Sequence, residues 1–166
     1  MNRIAIVIAS TGRPVELGRW VDHVRRQTVQ PASLVYAVAN AADLPSGNVE
    51  NVKVLICDVG SCHQRNVGLS SVIESSDIVA FFDDDYVPSS YCVEGIDAFF
   101  RDHPDVVAAN GMLLADGVNS PGISYDDAKE LVARHDNLQR TDGGIVHELS
   151  GFGQFPLYWR GQTVCC

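Results

Sequence analysis

Three consecutive carboxylates, Asp83, Asp84 and Asp85, directly follow an apolar run in this chain. Adjacent ionised acids repel one another, so they need a compensating positive charge nearby. A divalent cation is one such charge, because Mg²⁺ and Mn²⁺ accept a few carboxylate oxygens and leave their other positions to water and phosphate. The three acids therefore indicate a site for Mg²⁺ or Mn²⁺ that carries a phosphorylated ligand. Solvated acids ahead of a helix that starts near Pro88 would give the same local pattern.

The residues before the acids predict where they lie. The run Ile78 to Phe82 is rich in β-branched and aromatic residues, which is typical of a strand buried on both faces of a parallel sheet. In open α/β sheets, ligands bind beyond the carboxyl ends of the strands. The acids are thus expected at the edge of the sheet where such folds bind ligands.

Apolar strands alternate with helical patterns over the first two thirds of the chain, which predicts an α/β fold with a mainly parallel sheet and right-handed crossovers. Ser61 is expected to cap the helix after Gly60, with Val67, Leu69, Val72 and Ile73 on its apolar side. After Asn110 the pattern is irregular. We expect strands at 4–9, 34–39, 52–57, 78–82 and 105–109, helices at 14–28, 89–101 and 125–135, and short strands from Gly143 onward.

Composition excludes several classes of protein. The chain has 166 residues and a net charge of −9, which argues against a nucleic-acid partner because phosphate backbones need a clustered basic face. No apolar run approaches the ~20 residues of a transmembrane helix. The five cysteines match no zinc-site spacing, so reduced thiols are expected. We expect a single domain. We also expect a cytoplasmic location, which includes peripheral association with the inner face of the membrane.

Several motifs resemble those of a known enzyme family. Residues 1–115 are similar to the nucleotide-sugar-binding half of a family 2 glycosyltransferase with the GT-A fold, a Rossmann-like three-layer sandwich. Residues 116–166 would then begin the acceptor side and be cut short. The matching motifs are Thr11-Gly12-Arg13-Pro14 after the first strand, Gln27-Thr28 with Pro31, Gln64-Arg65-Asn66 with Gly68-Leu69, and Phe81-Phe82-Asp83-Asp84-Asp85 with Pro88.

The resemblance gives these positions roles. It implies that Asp83 lies near the ribose and shares metal binding with Asp85, whose ion would bridge the two phosphates, and that Asp84 takes part in either task. Arg65 corresponds to an arginine near the base, where a planar guanidinium can both stack and donate. Thr11 and Arg13 would line the nucleotide.

Two features depart from the family pattern. The family often has an acid at the end of the second strand to contact the base, whereas this chain has Ala39 and Asn40, with Asp43 three residues on. Asn40 or Asp43 could serve instead, so the base is left open, with UDP as the leading candidate. The carboxylate that would deprotonate the acceptor lies further along in the family than Cys166, and Glu148 and Asp127 are the remaining candidates.

The leading hypothesis is a metal-dependent, inverting glycosyltransferase of the hexosyltransferase type. It would move a sugar from a nucleoside diphosphate to a hydroxyl of a saccharide or lipid-linked acceptor, in a pathway such as polysaccharide biosynthesis. Without a placed general base the chain could be inactive by itself. Two alternatives stay open: a nucleotide-sugar-binding module without turnover, and a sugar-phosphate nucleotidyltransferase. The second would need more glycine and a lysine in the first loop than this chain has.

Overall fold

The structure is a computed structural model that describes residues 1–47, 49–111, 114–115, 122–141 and 158–160. It divides into two compact units, residues 1–93 and 94–166. The division into 1–115 and 116–166 within one domain stays a prediction. The strands are β1 (Ile4–Ser10), β2 (Ser33–Val38), β3 (Val52–Ile56), β4 (Ile78–Asp83), β5 (Val106–Ala109) and β6 (Tyr158–Arg160), and the helices are α1 (Pro14–Arg25), α2 (Ser61–Ser70), α3 (Cys92–Asp102) and α4 (Tyr125–Thr141).

The first unit contains a four-stranded parallel sheet in the order β3-β2-β1-β4. Helices flank this sheet, so the predicted α/β fold with a mainly parallel, Rossmann-like sheet is confirmed. β1 and β2 are almost completely buried, as expected for central strands of a parallel sheet.

The pleat of the strands separates two apolar faces. Ala5, Val7 and Val35 pack with Val72, which follows α2. On the other face, the Tyr36 hydroxyl donates to the Leu17 carbonyl of α1 at 3.0 Å. Because successive side chains of a strand point to opposite faces, the odd residues contact the α2 side and the even ones the α1 side. The result is three layers, with the sheet in the middle.

The strand order reverses direction beside β1. The chain runs outward from β1 to β2 and β3, and then returns to place β4 on the other side of β1. Such a switch point leaves a crevice outside the carboxyl ends of the two strands, where open α/β sheets bind ligands. Ala9 of β1 pairs with Asp83 of β4 in the ladder, so the three acids lie at this point.

The prediction that the acidic-ended strand is buried on both faces is wrong. β4 pairs only with β1 among the described residues, and Phe81 is 43% exposed. β4 lies at the edge of the described sheet. A second neighbouring strand, with its side chains and the helices that accompany it, would be needed to cover β4 fully.

Several element boundaries also differ from prediction. The expected cap Ser61 is the first residue of α2, since Gly60 is the N-cap with φ of +149°, a value suited to glycine. Ile73 lies beyond the end of α2 and is exposed. β5 pairs antiparallel with β6 in the second unit instead of extending the parallel sheet. α1 ends at Arg25 and α3 begins at Cys92, both shorter than expected.

None of the helices in the described part of the chain is both long and apolar enough to cross a membrane.

Candidate functional site

Asp84 is the buried member of the acidic triplet. Its side chain is only 9% exposed, and Oδ2 accepts a hydrogen bond of 2.6 Å from the Ser10 hydroxyl at the end of β1. Its backbone carbonyl accepts from the indole nitrogen of Trp20 at 3.1 Å. Asp84 therefore fixes the turn after β4 to β1 and α1, and leaves its two neighbours at the surface.

Arg13 bridges two of the acids. Its Nη1 donates to Asp84 Oδ1 at 3.1 Å and to Asp85 Oδ2 at 2.7 Å. The two carboxylates raise the pKa of Arg13, chiefly through the hydrogen bond with Asp85. Gly12, with φ of +71°, turns the chain ahead of Arg13, and Pro14 opens α1 directly after it. The loop after β1 thus carries its arginine across to the loop after β4.

Arg65 forms an ion pair with the third acid, Asp83. Its Nη2 donates to Asp83 Oδ1 at 2.6 Å, while the Asp83 side chain is 69% exposed. The Nε of Arg65 is buried and has no hydrogen-bond partner among the residues that the structure describes. A buried N–H without an acceptor is costly, and such a group in a folded protein calls for an explanation such as a ligand oxygen.

Gln64 links three segments below these charges, a role that sequence reasoning missed. Its amide nitrogen donates to the carbonyls of Ser10 and Ala37 at 2.9 and 2.8 Å. Its oxygen accepts from the Gly60 N–H at 3.2 Å and from the Thr11 hydroxyl at 3.4 Å. Both carbonyls lie near the carboxyl ends of neighbouring strands. The one sequence signal was the position of Gln64 beside Arg65 in the motif.

Gly68 explains the glycine of the same motif. A Cβ at this position would lie 2.3 Å from Val7 Cγ1, inside any real contact distance. α2 can therefore approach β1 closely only with glycine here. Because Arg65 is on the same helix, this close approach determines the distance of Arg65 from the sheet.

Asn40 and Asp43 form a short capped turn after β2. The Asn40 side chain accepts from Ala42 N–H at 2.9 Å, and Asp43 accepts from the N–H groups of Asn40 at 3.1 Å and Gly12 at 2.8 Å. Asp43 is buried, and both its oxygens bind backbone. In this structure Asp43 holds the loop that presents Thr11 and Arg13. The predicted contact of Asn40 or Asp43 with a base stays a prediction.

Gln27 holds the segment that follows the acids in sequence. Its amide nitrogen donates to the Ser89 carbonyl at 2.8 Å, and its oxygen accepts from the Val93 N–H at 3.0 Å near the start of α3. The ring of Tyr86 stacks on Phe82 at 5.1 Å, and burial is the main cause that raises the pKa of Tyr86 to about 12. The turn that carries the acids is thereby fixed on both sides.

The structure describes one of the two candidates for a general base. Glu148 lies outside the described residues. Asp127 belongs to the second unit, where its Oδ2 accepts from the Ser124 hydroxyl at 2.6 Å and its N–H donates back to that oxygen at 3.2 Å. This is a capping arrangement at the start of α4. A catalytic role for either residue stays a prediction.

The acids fit a divalent cation that a phosphorylated ligand helps to hold. Among the described residues, no three His, Cys, Asp or Glu side chains are close enough together to form a complete site. Mg²⁺ needs no such set, because it is commonly held by one or two carboxylates with phosphate oxygens and water. Asp85 is 58% exposed, and Arg13 contacts one of its two oxygens. Asp85 could therefore supply one ligand to the ion, with Asp83 as the second candidate.

Comparison with known proteins supports the fold. No family model matches the chain, and no curated protein matches it in sequence. Among solved structures, the crystal structure of S. aureus TarS, a family 2 glycosyltransferase, matches 70% of this chain with a TM-score of 0.51 and 15% identity. The match covers 24% of the TarS chain, so this chain corresponds to about a quarter of it. At this identity the likeness concerns the fold alone, and the protein has a glycosyltransferase-like fold.

Proposed function

We propose that the chain binds the nucleoside diphosphate portion of a nucleotide sugar, together with Mg²⁺ or Mn²⁺, and serves as the donor-binding part of an inverting glycosyltransferase. The observation that carries the proposal is the convergence of Arg13, Arg65 and the three acids at the carboxyl ends of β1 and β4. Ligands of open α/β folds bind at such a switch point. The fold shared with TarS is in keeping with this function.

The charges suit a diphosphate with an attached ribose. Guanidinium groups bind phosphate oxygens through charge-assisted hydrogen bonds, and both arginines lie at the switch point, where ligands of open α/β folds bind. The buried Nε of Arg65 offers a donor to a ribose or base oxygen. The exposed carboxylates of Asp83 and Asp85 would accept from ribose hydroxyls and bind the cation.

The expected reaction is a single displacement. The acceptor oxygen forms a bond to the anomeric carbon while the bond from that carbon to the diphosphate oxygen breaks, and the acceptor proton passes to a carboxylate base. The bound cation would supply charge stabilisation for the departing diphosphate. Arg13 would hold the diphosphate, and Asp84 would keep the acid-bearing turn in place. A hexose donor, UDP as carrier and a saccharide or lipid-linked acceptor remain parts of this proposal, as does a cytoplasmic or peripheral location.

A nucleotide-sugar-binding module without turnover is the second candidate. It is favoured by the capping bonds of Asp127, which occupy the one described candidate for the base. A sugar-phosphate nucleotidyltransferase finds less support, because the first loop offers Arg13 and a single glycine in place of a glycine-rich, lysine-bearing loop.

Calorimetric titration with UDP and GDP tests the proposal. Each nucleotide is titrated with Mn²⁺, and again with EDTA. We expect binding with Mn²⁺ for at least one nucleotide, and at least tenfold weaker binding with EDTA, because Asp85 and the phosphates would hold the ion together. Failure of both nucleotides to bind would refute the proposed function, and binding indifferent to EDTA would refute the metal role. Release of UDP from a UDP-sugar, with and without candidate acceptors, then separates the transferase from the binding module.

A further inference from the structure

The acids at the switch point outnumber their cations. In the part of the chain that the structure describes, three carboxylates share two guanidinium groups, and Arg13 pairs with both Asp84 and Asp85. Asp84 also receives the Ser10 hydroxyl, whereas Arg13 is the one partner of the Asp85 side chain among the described residues. The Asp85 carboxylate therefore depends on a single, shared positive group.

The proposed metal ion needs the same carboxylate. A Mg²⁺ ion lies ~2.1 Å from its oxygen ligands. Arg13 Nη1 lies 2.7 Å from Asp85 Oδ2. Two positive groups this close to one carboxylate repel each other strongly, because Coulomb energies rise as distances and the local dielectric constant fall. Metal binding at Asp85 and the contact of Arg13 with Asp85 thus oppose each other.

Arg13 can change partner without a change of the fold. Its backbone carbonyl is held by the Leu17 N–H at 3.0 Å, while its side chain is 53% exposed. The described contacts use only Nη1, so the other N–H groups of its planar fork are available for oxygens. A phosphate beside the ion would offer such oxygens to the same guanidinium.

We propose that Arg13 is an exchangeable counterion: it competes with the divalent cation for Asp85 and moves to the diphosphate when nucleotide and metal bind together. This inference rests on the proposed donor-binding function and adds a coupling to it. Metal alone binds weakly because Arg13, on the same carboxylate, repels it. The diphosphate gives Arg13 a new anionic partner, so each ligand raises the affinity for the other.

The test measures Mn²⁺ binding without nucleotide, from the loss of the electron paramagnetic resonance signal of free Mn²⁺. It compares the unmodified chain with Arg13→Gln, Arg13→Lys and Arg3→Gln. Arg3 is the matched control, because it pairs with Asp77 at the opposite ends of the same two strands and its loss changes the net charge equally. Thermal unfolding followed by circular dichroism verifies that each variant is folded.

We expect Arg13→Gln to bind Mn²⁺ alone about tenfold more tightly, within the usual range of coupling between ligands. Arg13→Lys keeps the positive charge and should stay near the unmodified chain, as should Arg3→Gln. Calorimetry with UDP and GDP at saturating Mn²⁺ should show the opposite change for Arg13→Gln, about tenfold weaker binding, because a charge-assisted hydrogen bond is lost.

The outcomes separate the two proposals. Mn²⁺ binding that is unchanged or weaker in Arg13→Gln overturns the exchange, even when the unmodified chain binds nucleotide with metal as proposed. Tighter Mn²⁺ binding with unchanged nucleotide affinity also overturns it, because Arg13 then does not move to the diphosphate. If neither nucleotide binds any of the proteins, the donor-binding function fails, and the inference fails with it.

Discussion

The two ends of the β1–β4 strand pair carry arginine and aspartate in contrasting arrangements. At the amino end, Arg3 and Asp77 form a one-to-one pair, with Nη2 to Oδ1 at 2.8 Å and Nε to Oδ2 at 3.1 Å. A backbone group adds a third hydrogen bond to this pair, since the Arg3 N–H also donates to Asp77 Oδ2 at 2.8 Å. At the carboxyl end, Arg13 divides one nitrogen between two acids, and Asp84 is buried.

This difference separates a structural link from the proposed binding site. The amino-end pair is balanced in charge, and both oxygens of Asp77 are engaged, so a further cation gains little there. The carboxyl end has an excess of acid, a shared arginine and a buried anchor that holds the acids together. Arginine and aspartate occur at both ends, and the count of the acids, their burial and the sharing of Arg13 distinguish the two.

The largest expected effect is on binding at the carboxyl end. Asp85→Asn should weaken Mn²⁺-dependent binding of the nucleoside diphosphate about 100-fold, because an ion short of one charged ligand loses more than one hydrogen bond's worth of free energy. Asp83→Asn should weaken binding about tenfold, equally with and without metal, if Asp83 mainly contacts the ribose. Isothermal titration calorimetry measures both.

Asp77→Asn is the matched control at the amino end, and it should leave nucleotide affinity unchanged. Equal losses in Asp83→Asn and Asp85→Asn would contradict the proposed division of roles. A loss in Asp77→Asn would show that net charge, and not the site, controls binding.

Gln64→Leu should give the largest loss of stability among the substitutions considered. It removes the donors to the Ser10 and Ala37 carbonyls and the acceptor of Gly60 N–H, and unpaired buried polar groups cost ~1–3 kcal/mol each. We expect the free energy of unfolding to fall by about 3 kcal/mol, measured by urea denaturation. Gln30→Leu is the control at an exposed glutamine, which donates to the Val24 and Gln27 carbonyls near the end of α1. A comparable fall there would contradict the role given to Gln64.

Asp84→Ala sharpens the comparison between the two ends. The change leaves the buried Ser10 hydroxyl without its acceptor and removes one partner of Arg13, so the free energy of unfolding should fall by about 2 kcal/mol. Asp77→Ala removes a solvent-exposed pair and should have a smaller effect. Urea denaturation of both variants checks this order, and a larger fall for Asp77→Ala would reverse it.

The smallest effect concerns acid pH. The hydrogen bond from the Arg3 side chain, more than any other cause, lowers the pKa of Asp77 from 3.8 to about 2. A carboxyl group with a lowered pKa in the folded state stabilises the fold fully above its ordinary pKa, and this contribution is lost as the pH falls from about 4 towards 2. Titration of the Asp77 carboxyl carbon by NMR should show the lowered pKa, and Arg3→Gln should return it towards the ordinary value. An unchanged pKa in that variant would contradict the assigned cause.

The sequence predicted the fold better than the details of its edges. Alternating apolar strands and helices were enough to predict the parallel sheet, because periodicity reports which face is buried. Burial on both faces of β4 was not predictable from its composition, since burial depends on how many strands lie beside it. Phe81 is accordingly exposed in a strand whose residues suit a sheet interior. The antiparallel pairing of β5 with β6 likewise depends on a segment distant in sequence.

The sequence by itself determined the local chemistry: three acids after a strand, Arg13 between Gly12 and Pro14, and Arg65 beside Gln64. Each of these features depends on residue types and on short spacings along the chain. Those spacings are kept when the chain forms a strand or a helix. Tertiary structure alone decided which charges meet, because Arg13 and Asp84 are 71 residues apart in sequence and come together only through the pairing of β1 with β4. It also made Asp84 an anchor and left Asp83 and Asp85 exposed, since burial is a property of the assembled sheet and its helices.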